Sequence, residues 1–141
     1  MAAPKYEFAQ KSYQNPHSSL PLIIPYIVLC NTSDEVLAAN VKRNSALELE
    51  WLRAEKPHGK IAVMIGGGPS VNGLVEQIKE LKAAGAVVFA MNAASKWARG
   101  QGIEVDYQVL SDAKAETSTL VDSGARHHLI ASQVNPLTVD A

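Results

Sequence analysis

Cysteine is nearly absent: the 141-residue chain has one, Cys30. A lone thiol excludes an internal disulfide and any zinc site built from several cysteines; it reads as a buried side chain in a reducing, cytoplasmic compartment. There is no excess of positive charge either, with 13 Lys and Arg against 14 Asp and Glu and a net charge of -1. That removes the electrostatic footprint that a long nucleic acid demands. Long hydrophobic runs are missing too. The most apolar stretch, LPLIIPYIVLC from Leu20 to Cys30, is interrupted by Pro21 and Pro25. It is too short to span a bilayer and too broken for a helix, so it reads as an extended segment along the domain, an edge strand beginning after Pro25. The start, MAAPKYEFAQKSYQNP, lacks the basic-then-apolar order of a signal peptide.

What is present is a change of pattern near residue 60. Residues 1 to 59 divide into a polar arm (to about residue 19), the apolar segment, and a lead-in helix. Thr32 and Glu35 stand at capping-box spacing, with Ser33 and Asp34 as competing caps. Val36, Leu37, Val41, Leu47 and Trp51 can line one helical side, interrupted near Asn44 and Ser45. Pro57 and Gly59 end it.

Residues 60 to 141 alternate strand and helix. KIAVMI, AVVFAM, DYQVLSD and RHHLIAS read as strands buried in a parallel sheet. SVNGLVEQIKELKAAG has Val71, Leu74, Val75, Ile78 and Leu81 on one face and stops at Gly85. NAASKWARGQG reads as a short helix and KAETSTLVDSG as a weak one. This is the pattern of a doubly wound α/β sheet, Rossmann-like, with right-handed crossovers giving strand order 3-2-1-4. Asn135 and Pro136 open a last helix just before the sequence stops, which suggests a C-terminally shortened domain.

Between the first strand and its helix lie Gly66, Gly67, Gly68, Pro69 and Ser70. Bare backbone followed by a helix start favours an anion, a phosphate above all. The competing reading is that the glycines serve only a tight turn and close packing. The dinucleotide fingerprint fails, because Val71 stands where its third glycine belongs and no acid ends the second strand. Without G-K-[ST], a Walker-type ATPase is excluded as well. Asn92 tips the second strand and either contacts a base or ribose or caps the next helix. Asp112 tips the third and either holds a divalent cation or a sugar hydroxyl, as a catalytic and metal candidate, or caps the following helix. Ser132, Gln133 and Asn135 lie at the exit of the fourth and reach the same crevice, where they could touch a ligand; Ser132 and Gln133 are candidate nucleotide contacts. His127 and His128, adjacent in a strand, point to opposite faces and cannot easily share a metal. Trp51 and Trp97 read as core or interface aromatics.

The order GGGPS, AMNAA, GIEVDYQVLSD, LIASQVNP resembles the MptE-like domain of 6-hydroxymethylpterin diphosphokinase-type proteins, which includes flagellin-modifying glycosyltransferase-like and tailed-phage members. The likeness covers residues 60 to 141, and VLCNTSDEVLAANVKRN looks like the lead-in of phage-type members. The turn and the asparagine are also similar to the CMP site of bacterial sialyltransferases. Two positions depart: Gly67 stands where sialyltransferase-type turns often carry asparagine, and Val105 where proline usually precedes the aspartate.

The resemblance implies a nucleotide-binding transferase that moves diphosphate from ATP or a sugar from a nucleotide donor. Gly66 to Ser70 would wrap the phosphate, Asn92 would contact the nucleotide, and Asp112 would sit at the Mg²⁺ or donor position. The expected partner is a small-molecule nucleotide, ATP or CMP or a nucleotide sugar, with no long nucleic acid and no membrane. A homo-oligomer or larger partner would cover the shortened end. The alternative is a non-catalytic phage accessory or assembly protein that reuses the fold.

Overall fold

The computed structural model describes residues 12–14, 21–23, 31–54 and 56–141, and the chain divides into two compact units, Met1–Ser33 and Asp34–Ala141. In the first unit β1 (Ser12–Gln14) pairs antiparallel with β2 (Pro21–Ile23), Tyr13 standing opposite Leu22. Pro21 opens its strand, a position where a missing N–H is tolerated. Part of the polar arm is therefore paired backbone. The edge strand expected after Pro25 lies outside the described residues.

The second unit starts with α1 (Asp34–Ser45) and centres on four parallel strands: β3 (Ala62–Ile65), β4 (Val87–Met91), β5 (Tyr107–Leu110) and β6 (His127–Ile130). Between them lie α2 (Val75–Ala83), reached through a 3-10 turn over Pro69–Leu74, and α3 (Ala94–Gly100). A second 3-10 segment, Ala115–Leu120, replaces the weak helix before β6, and α4 (Pro136–Val139) ends the unit. Both main helices stop in the same way. Gly85 and Gly102 take φ of 93° and 78°, and the next amides, Ala86 and Ile103, reach back to the carbonyls of Leu81 and Ala98. Such six-to-one closures need a left-handed residue, which glycine supplies without strain. Asn135 caps α4 as its spacing predicts, its Oδ1 accepting the Leu137 N–H at 3.1 Å.

The strand order corrects the expectation of 3-2-1-4. The sheet runs β3-β4-β5-β6, each strand beside its successor. The fourth strand does not cross to the first because its connector is anchored where it lies. Asp122, in that connector, accepts hydrogen bonds from α3, and its own N–H donates to Gln108 of β5 at 2.9 Å. With consecutive order, right-handed crossovers put α2 and α3 on one face, not on both as a doubly wound sheet would have them. That face carries the core: Ile65, Val88 and Ala90 pack with Ile78, Ala94 and Ala98, flanked by Val63, Val75 and Trp97. Burying one such Ile or Val is worth about 1.5–3 kcal/mol. On the opposite face the register aligns Met64, Phe89, Tyr107 and His127 in one row. The rings of Phe89, Tyr107 and His127 stack in sequence, with centroids 5.0 and 5.1 Å apart.

The lead-in helix also departs from its expected face. Val36 and Val41 are exposed, whereas Asn40 and Asn44 are buried. Asn40 Nδ2 donates to the Gln133 carbonyl at 3.1 Å, and Asn44 Nδ2 to those of Ser132 and Val134 at 3.0 Å. Arg43 grips Asp140 with both carboxylate oxygens at 2.7 and 2.8 Å. Two asparagines at i, i+4 can satisfy a loop's free carbonyls, which valines cannot. Polar complementarity thus outweighs the weak apolar stripe, and the helix stops at Ser45, leaving Leu47 and Trp51 outside it.

Candidate functional site

β3 ends at Ile65, and the chain then passes through Gly66, Gly67 and Gly68 into the 3-10 turn. Gly66, Gly67, Gly68 and Pro69 form one wall of a cavity of ≈ 240 Å³, closed opposite by Ala93, Ala94 and Trp97 at the start of α3, with Val71 and Asn72 beside them. This volume matches a small ring system with its substituents, and among the described residues the lining is mainly apolar with no Lys or Arg.

The glycines are not needed by the fold itself. None of the three has the positive φ that Gly85 and Gly102 show. A Cβ built on Gly66 or Gly67 meets nothing within 4 Å, and on Gly68 only Ser70 Oγ at 3.9 Å. Neither a tight turn nor close helix packing requires their bareness. Among the described residues, the N–H groups of Gly67 and Gly68 find no backbone acceptor. Donors without partners beside open space are what an incoming acceptor group would meet. The turn differs from the expected phosphate loop in one respect. It leads into a 3-10 segment with no side-chain cap, so α2 begins only at Val75 and its dipole does not start at the glycines.

The remaining candidates are dispersed. Ser70 lines a separate groove beside β3 with Gly66 and Gly68, so the turn is a partition between two concavities. Asn92 holds a left-handed φ of 48° and does not cap α3, whose N-cap is Ala93. Its carbonyl accepts from Gln108 Nε2 at 3.0 Å, while its buried Oδ1 has no partner. Asp112 leaves β5, two strands from β3 and so about 10 Å across the sheet. Its Oδ1 accepts the Lys114 N–H at 3.1 Å in a local turn. Ser132 and Gln133 offer their carbonyls to α1. Trp97, one helical turn beyond Ala93, lines the cavity as well as the core, whereas its sequence context predicts a core or interface aromatic. His127 stacks on Tyr107, and His128 Nε2 lies 3.0 Å from the Asp122 carbonyl, on opposite faces as expected.

Away from the cavity, two buried carboxylates fasten the sheet. Asp122 Oδ2 accepts from Ser95 Oγ at 2.7 Å, and Oδ1 from Arg99 and the Gly124 N–H. Gln108, wholly buried in β5, donates to the Asn92 and Leu120 carbonyls and accepts from the Asp122 N–H. Asp106 Oδ2 accepts from Lys82 Nζ at 2.6 Å and the Val88 N–H at 2.8 Å, with Arg126 at 3.6 Å from Oδ1. Burial alone would push both carboxyls up. The hydrogen bonds and nearby cations outweigh it and hold both below the ordinary aspartate value. The sequence signal for this network is Gln108, a polar residue in mid-strand on the helix-facing side.

Among the described residues no group of three or more His, Cys, Asp or Glu side chains could hold a metal, and Asp112 does not line the cavity. The described residues thus make no Mg²⁺ site at the glycine turn, and the chemistry they offer there is that of backbone N–H groups, the Asn72 amide, an indole and small apolar walls. No described helix is long and apolar enough to cross a membrane. Comparison with family models, curated proteins and solved structures returned no match.

Proposed function

We propose that the chain is a nucleotide-binding domain of transferase type, with the phosphate side of the ligand against the Gly66–Ser70 turn and its base or sugar against Trp97, Ala93 and Ala94. One observation supports this reading above the others. Three successive glycines border an open cavity although neither their backbone angles nor their neighbours require glycine. Space kept free of Cβ atoms, next to N–H groups without backbone acceptors, suits a ligand's acceptor oxygens. The cation-free lining favours a nucleoside monophosphate or nucleotide sugar over a triphosphate. Catalysis of group transfer would rest on positioning the donor rather than on a protein base. The partly carried resemblance to MptE-like and sialyltransferase turns points the same way.

Isothermal calorimetry and thermal shift with CMP, CTP, ATP and GTP, with and without Mg²⁺, test the reading. CMP is expected to give the strongest response, and Gly68→Val to abolish it while leaving the fold intact. Silence from all four nucleotides would refute it. A second reading, a non-catalytic accessory or assembly protein, draws on another observation: among the described residues no titratable side chain lines the cavity, and Asp112 is engaged in its own turn. Binding without turnover of any nucleotide sugar would favour that version.

A further inference from the structure

The strand order leaves β3 at one edge of the sheet, and among the described residues no strand pairs with its outer side. Edge strands are usually blunted by Lys, Pro or a bulge. β3 has none of these: its sequence is AVMI, and it is flanked by Ile61, 57% exposed, with Met64 74% exposed. Beside it runs a groove of ≈ 360 Å³ between the strand and the Pro69–Leu74 turn with α2, lined by Val63, Met64, Val71, Leu74, Ile78 and Leu81 among others, with no charged side chain among the described residues.

The ladder shows which backbone groups face the outer side. The Val87 N–H donates to the Ile61 carbonyl at 2.9 Å, so Ile61, and with it Val63 and Ile65, turn their polar groups toward β4. Ala62 and Met64 alternate with them and present N–H and C=O on the open side.

We infer that β3 pairs antiparallel with β3 of a second copy of this chain, about a two-fold axis at Val63. The strand is complementary to itself in that register and needs no other partner. Ala62 faces Met64 of the second copy and exchanges both hydrogen bonds with it, as Met64 does with the second Ala62, giving four bonds across the axis. Met64, the long exposed side chain, lies over the small Ala62. Ile61 meets Ile65, and Lys60 meets Gly66, so no like charges face each other. The pairing would join two four-stranded sheets into one continuous sheet and set the two glycine turns on opposite sides of the axis. The contact is short, so the dimer forms reversibly with concentration.

Light scattering after size exclusion, over a wide range of loading concentrations, tests this with the full chain. The mass is expected to rise from 15.1 kDa toward twice that value. Ala62→Pro removes an N–H that points away from β4, so the sheet keeps its own ladder while the dimer loses two of four bonds and weakens about tenfold or more. Met64→Lys, at a position already in solvent, is expected to do the same. In a Cys30→Ser background, Val63→Cys brings its thiols together across the axis and cross-links under mild oxidation, whereas Ala62→Cys does not. A monomer at every concentration overturns the inference and leaves the edge to a strand from elsewhere. So does a dimer whose mass neither Ala62→Pro nor Met64→Lys changes, or one that cross-links through Ala62→Cys and not Val63→Cys.

Discussion

The two sides of the sheet are held by different physics. From β4 to β6 a polar network closes on itself: Ser95, Arg99, Gln108 and the Gly124 N–H surround Asp122, and the hydrogen-bonding groups in contact satisfy one another. At the β3 corner the glycine turn, the cavity and the strand edge have donors and apolar side chains without such partners among the described residues. The first side has its geometry over-determined, so that change there is costly. On the second side Ile65 and Val63 belong to the core, but the glycine turn and the exposed Ile61 and Met64 are expected to tolerate change at little cost. Under the proposed function, recognition falls at one edge of the sheet and the polar network that fixes its strand order at the other.

The contrast is sharpest where the network is cut. Asp122→Ala leaves the buried Ser95 hydroxyl and the Gly124 N–H without their acceptor and releases the half-exposed Arg99 guanidinium, and is expected to cost about 2–4 kcal/mol in urea or thermal unfolding. A loss below about 1 kcal/mol would mean that the connector, not its carboxylate, sets the strand order. Gly124→Ala probes the same point from outside. Its Cβ would fall on the Arg99 guanidinium, which Asp122 holds in place. The expected cost is about 1–3 kcal/mol. Much of it should vanish when Arg99→Ala is already present, since the collision partner is then gone. Additive losses would show that glycine is needed there for another reason.

Acid provides a gentler version of the same cut. Both Asp106 and Asp122 are held below their ordinary value by their partners, against the pull of burial. A carboxyl whose folded pKa is depressed contributes stability above the unfolded value and loses it as pH falls through the folded one. Stability is therefore expected to be flat at neutral pH and to decline below about pH 4. Asp122→Asn should flatten that decline, measured as urea midpoints across the acid range.

How far the sequence revealed this arrangement depended on whether a feature is local. The glycine stops at Gly85 and Gly102, the Asn135 cap and four strands are set by neighbours within a few residues, and each is legible from spacing alone. Strand order is not. It turns on whether residues 111–126 carry a crossover to the far edge or stay beside β5, and that choice is made by Asp122 meeting Gln108 and Ser95, which are distant in sequence. Likewise α1 reads as an amphipathic helix with a valine stripe, because nothing local discloses that Asn40 and Asn44 would find the carbonyls of residues 132–134. The glycine turn was visible as a motif, but its apolar far wall, Ala93, Ala94 and Trp97, appears only once β3 and β4 are side by side.

The smallest expected effect is also the one that separates the two uses of glycine. Gly85 and Gly102 sit in the left-handed region, where an added Cβ is strained; Gly85→Ala should lower stability by about 1 kcal/mol. Gly67 has neither a positive φ nor a neighbour within 4 Å of the added carbon. Alanine there restricts the unfolded chain and meets no obstacle in the folded one, so Gly67→Ala should leave stability unchanged or raise it by about 0.4–1 kcal/mol. If chemical denaturation finds the variant more stable and calorimetry finds its nucleotide response weaker, the glycine is retained for a ligand at a cost to the fold. A Gly67→Ala protein that is clearly destabilised would instead make the turn a structural element like the two helix stops, and the cavity beside it incidental.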